Sequence, residues 1–160
     1  MFKKTQINEK YLLASKEHTQ VYEYLETFKS FIKKGNKNFT VKDLKKTLTR
    51  FEKDIKDHFR LEEEVLFPAA LVCMPSLDVI DQVLALQKEH GYFEKDLETL
   101  IILAGKYQKR SALINAVSAL MKSFIASMQN HARIEIEEIF NKMDNTSRCK
   151  KLIKGITIPG

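Results

Sequence analysis

A ten-residue segment occurs twice in the chain, and this repeat constrains the fold more than any other feature. Residues 58–67 (HFRLEEEVLF) match residues 131–140 (HARIEIEEIF) in the pattern H-x-R-[L/I]-E-x-E and in the closing Phe. A weaker match relates the KEH at 16–18 to the KEH at 88–90. The repeated histidines are separated by 73 and 72 residues respectively, so the two halves of the chain are predicted to be related helix hairpins.

Apolar residues recur with a spacing near 3.6 over four long stretches, which predicts four amphipathic helices. The chain has only 5 Gly and 3 Pro, so tight turns are few, and long helices with short loops are favoured over a turn-rich β sandwich. The predicted helices cover residues 8–33, 40–67, 75–103 and 111–143, and the second ends beside Pro68. These helices predict an all-α fold, an antiparallel up-down-up-down four-helix bundle.

The length of 160 residues fits one domain, which we assign to residues 1–144, followed by a basic tail at 145–160 without predicted structure. Cys73 and Cys149 have no CxxC partner, so both are predicted to be free thiols rather than a disulfide or a thiolate metal site. The N-terminus lacks the apolar core of a signal peptide, and no stretch approaches the ~20 apolar residues of a membrane span. We therefore expect a cytoplasmic protein without membrane contact.

The net charge of +6 is concentrated in residues 29–56, which hold ten Lys or Arg and three acids. A basic patch attracts nucleic acid or an acidic protein. No recognised nucleic-acid module and no interleaved set of stacking aromatics accompanies it, so nucleic acid is not expected as a partner. A solvated helix face is the preferred interpretation, and a protein partner at residues 29–56 is the alternative.

All four histidines belong to the repeat, one on each predicted helix. Glu62 follows His58 by four positions and Glu135 follows His131 by four, so each pair projects from one helix face toward one point. That face is otherwise apolar, and unpaired ionisable groups there are costly. A shared metal centre would neutralise them, while buried His–Glu pairing without metal is the alternative. The predicted metal ligands are His18, His58, Glu62, His90, His131 and Glu135.

Imidazole and carboxylate groups without thiolates favour iron or manganese over zinc or a cluster. Four His and two Glu are too many for one site with an open position. If Glu62 and Glu135 both bridge two metals, each metal receives two His and two bridging oxygens and keeps about two positions for a solvent bridge and a small ligand such as O2 or NO. Ferritin-like bundles use Glu-x-x-His instead, so that class is disfavoured. A solvated face is preferred over supporting or substitute ligation for Glu63, Glu64, Glu137 and Glu138.

On these residues the chain resembles the hemerythrin-like, or HHE cation-binding, family of four-helix bundles. The resemblance extends over residues 18–138 and rests on the form H-x3-E-E-x2-L-F-P at residues 58–68 and on His131-x3-Glu135. It implies a non-haem di-iron centre, with Fe2+/Fe3+ ions or manganese and a solvent-derived bridge. The four histidines would be terminal ligands, and Glu62 and Glu135 would be carboxylate bridges.

The chain departs from the oxygen-carrying hemerythrins at one position. Those proteins have a second His four residues after the one on the third helix, where this chain has Glu94, and the repeat equivalent on the first helix is Tyr22. Glu94 is either a further ligand or acceptor for bound water, or a solvent-facing residue. Tyr22 either points its hydroxyl at the centre or is a core aromatic. With four His the chain is more similar to iron–sulfur cluster repair di-iron proteins and sensor domains, although it shows no N-terminal cysteine-containing segment.

Three functions compete. The first is a module that binds O2 or NO, or senses redox or iron status. The second is a redox or iron-handling activity, namely peroxide or NO reduction or iron donation for iron–sulfur cluster repair, and the third is a purely structural metal. No constellation of residues for general acid–base catalysis is found beyond Glu94 and Tyr22, which favours a metal-binding or sensing module over a dedicated enzyme. Spare coordination positions disfavour a structural metal.

Overall fold

The computed structural model describes residues 5–33 and 38–155, with side chains described for 18–33 and 38–152. All regular secondary structure within these ranges is helical, which confirms the all-α prediction. The elements in chain order are α1 (Thr5–Ile32), α2 (Val41–Leu61), π1 (Glu62–Leu66), α3 (Phe67–Cys73), α4 (Leu77–Lys106), α5 (Arg110–Ile134), π2 (Glu135–Phe140), α6 (Asn141–Asp144) and α7 (Ser147–Gly155).

The long helices form the bundle expected from the sequence. Helix α1 contacts α2 and α5, and α4 contacts the same two helices from the opposite side. Aromatic rings join the helices across the main core: Phe51 of α2 contacts Phe28 of α1 at 5.5 Å between ring centroids and Phe124 of α5 at 6.0 Å. Phe93 of α4 contacts Phe124 at 5.9 Å. These edge-to-face contacts fix the spacing of the four helices.

Thr40 and Ser76 cap the N-termini of α2 and α4, at the positions where the sequence predicts that these helices begin. The Thr40 hydroxyl accepts a hydrogen bond from the Asp43 N–H, and the Asp43 carboxylate accepts one from the Thr40 N–H. This reciprocal pair satisfies backbone donors that the first turn of α2 leaves without partners. Ser76 accepts from the Val79 N–H at the start of α4 in the same way.

The second bundle helix does not end beside Pro68, so that predicted end was wrong. The chain continues through π1 and α3 to Cys73. In π1 the Phe67 N–H bonds to the carbonyl of Glu62, five residues back, and Pro68 is then at the start of the next α-helical turn. Pro is tolerated in a first turn because its missing N–H needs no partner there. The fourth bundle helix contains a similar π turn, π2, which begins at Glu135.

The C-terminal segment forms a short helix, α7, which contacts α1, α3 and α6. Cys149 of α7 and Cys73 of α3 form a buried disulfide, with their Cα atoms 4.9 Å apart. The prediction of two free thiols was therefore wrong. The helix turns back onto α3, and this return brings together two cysteines 76 residues apart in sequence.

The stretch Arg110–Asp144 is long and apolar enough to cross a membrane, by length and composition alone, with a mean hydropathy of 1.3 over its most apolar 18 residues. This finding corrects the expectation that no stretch of the chain approaches a membrane span. A single helix of this kind is weak evidence for a membrane span, because core helices of bundles meet the same criterion. Here Leu113, Val117, Met121, Phe124 and Met128 are buried in the bundle.

Candidate metal centre

The six predicted metal ligands lie together near one end of the bundle core. Each histidine is at most 4% exposed, and both glutamates are fully buried. Within residues 18–33 and 38–152, no other acidic, basic or amide side chain is buried. The six are placed as follows: His18 on α1, His58 on α2, Glu62 on π1, His90 on α4, His131 on α5 and Glu135 on π2.

The two π turns position the glutamates. Each turn begins at the glutamate that follows its histidine by four residues, namely Glu62 in π1 and Glu135 in π2. Because the turn is widened, the glutamate points inward and residues that follow it in sequence also face the core. Phe67 and Phe140 are such residues, and each is at most 3% exposed. Single π turns inside α-helices frequently mark functional sites. Both halves of the repeat place this turn at the same point.

One set of ligand atoms, which we call site A, consists of His18, His58, Glu62 and Glu135. The Nε2 atom of His58 lies 2.7 Å from Oε1 of Glu62, and the Nε2 atom of His18 lies 3.6 Å from the same oxygen. His18 Nε2 also lies 2.9 Å from Oε2 of Glu135. Ligand atoms of site A are all within 4.8 Å of one another, close enough to hold one cation.

The second set, site B, consists of Glu62, His90, His131 and Glu135, with its ligand atoms also within 4.8 Å of one another. The Nε2 atom of His90 lies 3.2 Å from Oε2 of Glu62, and that of His131 lies 2.9 Å from Oε1 of Glu135. Each glutamate therefore has its shortest contact with site A through one oxygen and with site B through the other. This division is the arrangement required of a carboxylate that bridges two cations.

The buried oxygens support this fit. Both carboxylate oxygens of Glu62 and Oε1 of Glu135 are buried and make no hydrogen bond of acceptable geometry, although histidine nitrogens lie nearby. Leaving a buried acceptor unsatisfied costs about 1–3 kcal/mol, and more for a charged group. Lone pairs that converge without hydrogen bonds are suited to a cation placed between them. The residues of sites A and B therefore fit metal ions.

The pKa values of the ligands reflect their crowding before a cation binds. Burial and the neighbouring Glu135 carboxylate raise the pKa of Glu62 well above its usual value. Burial also acts to raise the pKa of Glu135, but the nearby imidazole nitrogens of His131 and His18 outweigh it and hold that pKa well below the usual value. Burial alone would lower the pKa of His90, yet the carboxylates of Glu135 and Glu62 raise it to about 9. The cluster thus holds protons that a cation must displace.

Two further carboxylates contact the outer nitrogens of the site B histidines. Oε1 of Glu63 lies 2.6 Å from Nδ1 of His90, and Oε2 of Glu89 lies 2.6 Å from Nδ1 of His131. A carboxylate at Nδ1 favours the proton on that nitrogen, which leaves the Nε2 lone pair directed at the site. Glu63 thus takes the supporting position that the sequence left as an alternative. Glu89 was missed, although its place in the repeated KEH was a signal.

The other acidic residues beside the motifs lie on the solvated face. Glu64 is exposed. Glu137 pairs with Arg133 at 2.8 Å, and Glu138 pairs with Lys142 at 2.8 Å, each four residues away on its helix. They do not belong to site A or site B.

The structure does not bring Glu94 or Tyr22 to the centre. Glu94 is exposed, because the core-facing position on this turn of α4 belongs to Phe93, whose ring centroid lies 5.1 Å from that of His131. Tyr22 is half-buried against the main core, next to the buried Val21. Of the two interpretations given for each residue, the structure agrees with a solvent-facing Glu94 and a core aromatic at Tyr22.

Glu94→Ala is accordingly expected to leave the metal content and absorption spectrum of the protein unchanged, because the Glu94 side chain faces solvent. Metal analysis of the purified variant beside the unmodified chain checks this. Loss of metal from the variant would show that Glu94 reaches the centre.

The comparisons agree with this geometry. The family model of the hemerythrin HHE cation-binding domain matches residues 13–143. The chain belongs to this family, as the sequence resemblance indicated. No curated protein matches the chain, and no solved structure matches it. The family and the clustered His and Glu side chains together identify the buried cluster as a cation-binding site.

The affinity for cations is expected to rise with pH between about 6.5 and 9. The raised pKa of His90, about 9 compared with an ordinary 6.5, means that this imidazole is protonated at neutral pH before a cation binds. Only the neutral imidazole is a ligand, so protons compete with the cation as the pH falls. The same shift stabilises the metal-free fold below pH 6.5, a contribution lost as the pH rises through 9.

Calorimetric titration with Fe2+ under anaerobic conditions, in buffers of different ionisation enthalpy, measures the protons released. Release near neutral pH that disappears above pH 9 agrees with the expectation. An affinity independent of pH would contradict it.

Proposed function

We propose that the chain holds a carboxylate-bridged pair of iron ions and uses it to bind a small diatomic ligand, O2 or NO, or to report redox or iron status. The observation that carries this proposal is the division of the carboxylate oxygens. Oε1 of Glu62 lies nearest to His58, while Oε2 of the same side chain lies 3.2 Å from His90 on a different helix.

Each ion would receive two imidazole Nε2 atoms and one oxygen from each of Glu62 and Glu135. Four such donors leave about two positions on a six-coordinate ion, enough for a solvent bridge and a small ligand. Iron at these positions would supply reversible oxidation together with an open site for a diatomic molecule. Manganese is the alternative ion that the same donor set accepts.

The chain's own aromatic residues enclose these donors. The Phe59 ring stacks on His90 with centroids 3.8 Å apart, and Phe67 lies on a parallel plane at 5.9 Å. Phe93 meets His131 edge-on at 5.1 Å. These rings hold the imidazole planes and shield them from water, so the surroundings of the donors are apolar. Such surroundings favour ligand binding over hydrolytic chemistry.

The identity of the buried acids and bases favours a binding or sensing role over a dedicated enzyme. Among the side chains that the structure describes, the buried acids and bases are the six proposed ligands themselves. A group committed to a metal is not free to act as a general acid or base. Of the two residues that the sequence offered for that purpose, Glu94 is exposed and Tyr22 packs against the main hydrophobic core.

Rapid mixing tests the proposal. Iron-loaded protein, reduced under anaerobic conditions, is mixed with O2 or with NO while its visible absorption is recorded. A spectrum that forms within one turnover and reverses when the gas is removed supports ligand binding. Continuous turnover of NO or peroxide would instead favour the redox alternative. An unchanged spectrum with both gases would contradict binding of a diatomic ligand.

A further inference from the structure

The two cation sites differ in the groups that contact the outer Nδ1 atoms of their histidines. In site B, both Nδ1 atoms contact carboxylates at 2.6 Å, His90 through Glu63 and His131 through Glu89. Glu63 directly follows the bridging Glu62 on π1, and Glu89 directly precedes His90 on α4. Each carboxylate thus joins an imidazole to a neighbouring helix. The two side chains are 43% and 38% exposed, so they also add negative charge at the outer edge of site B.

In site A, the surroundings of His18 differ from this arrangement. The offset of 73 residues between the repeated segments places Ile136 where the other half has Glu63. Ile136 packs against a hydrophobic cluster beside the centre. The carboxylate contacts of His18 are made through Nε2, to Glu62 and Glu135. Among the side chains described, at residues 18–33 and 38–152, no carboxylate contacts Nδ1 of His18.

A carboxylate behind a metal-binding imidazole orients the ring and strengthens its donor nitrogen, and losing such a partner typically lowers metal affinity by about 10–100-fold. Both histidines of site B have this support, and no carboxylate in the described part of the chain gives it to His18 of site A. We propose that the two sites are inequivalent, that site B binds the first cation, and that Glu63 and Glu89 are the positioning residues responsible. The inference rests on the proposed pair of ions and adds their order of binding.

Stepwise loading tests the order. Metal-free protein with 15N-labelled histidine is titrated anaerobically with Co2+, and again with Fe2+, while the imidazole nitrogen resonances are followed. The first equivalent is expected to shift or broaden the resonances of His90 and His131, and the second those of His18 and His58. The two dissociation constants should differ by about tenfold or more.

The double variant Glu63→Gln, Glu89→Gln tests the cause. Glutamine keeps the size of the side chain and removes its charge. The affinity for the first cation is therefore expected to fall by about tenfold or more, and the difference between the two dissociation constants is expected to disappear. Glu64→Gln is the matched control, since Glu64 is an exposed neighbour on the same π turn and belongs to neither site. It should leave both steps unchanged. Circular dichroism spectra verify that the variants fold.

Three results would overturn the inference: two equal binding steps in the unmodified chain, a first cation that perturbs His18 and His58 first, or a double variant that keeps the original gap. These results leave the pair of ions intact. A folded chain that binds neither Co2+ nor Fe2+ would instead contradict the proposed function, so the two failures are distinguishable.

Discussion

Glu62→Ala is expected to lower the iron content of the purified protein from about two ions per chain to one or fewer. Glu62 is fully buried and directs its two oxygens to different histidine pairs, so its loss removes one donor from each proposed ion. His58→Ala should also remove at least one ion, since it deletes a ligand of site A. Metal analysis and the visible spectrum of each variant measure the effect.

Glu64→Ala is the control for this experiment, because its exposed side chain lies on the same π turn and takes no part in either cluster. That variant should keep the iron content of the unmodified chain. If folded Glu62→Ala retained two ions and an unaltered spectrum, the assignment of Glu62 as a bridge would be wrong.

Removal of the metal is expected to lower the melting temperature by roughly 8–16 °C. A ligand at a thousand times its dissociation constant stabilises the folded state by about 4 kcal/mol, and each kcal/mol shifts the melting temperature of a chain of this size by about 2–4 °C. The metal-free core must also keep four imidazoles and two carboxylates buried together, which is costly. Calorimetric scans of the loaded protein, with and without a chelator, measure the shift.

Adding iron back after the chelator is removed should restore the original melting temperature. The Glu62→Ala variant should respond much less to the chelator, because it has less metal to lose. A loaded protein whose melting temperature is insensitive to complete metal removal would contradict the role of the ions in holding the buried cluster.

The clustering of the six His and Glu side chains was predictable because helical periodicity converts sequence spacing into direction. His58 and Glu62, four residues apart, must share a helix face, and the repeat transfers the same geometry to His131 and Glu135. The π turns at the two glutamates were not predictable in this way. They depend on buried residues behind the glutamates, such as Phe67, and the sequence around Pro68 instead suggested that the helix ends there.

Contacts between residues on different helices were the hardest to predict from the sequence. Glu89 and His131 are 42 positions apart, and the disulfide joins Cys73 to Cys149 across 76 positions. Spacing along a helix specifies the direction of a side chain but not its distance from a residue on another helix. The exposure of Glu94 also depends on packing between helices, because Phe93 beside it occupies the core-facing position and contacts His131 on α5.

Two metal ions at one buried cluster are the central expectation for this chain, and elemental analysis tests it directly. The protein is expressed with ample iron and manganese, purified without chelators and analysed for metals per chain. We expect about two ions per chain, predominantly iron, as the donor set of four imidazoles and two bridging carboxylates predicts. Folded protein that contains neither iron nor manganese would contradict the account.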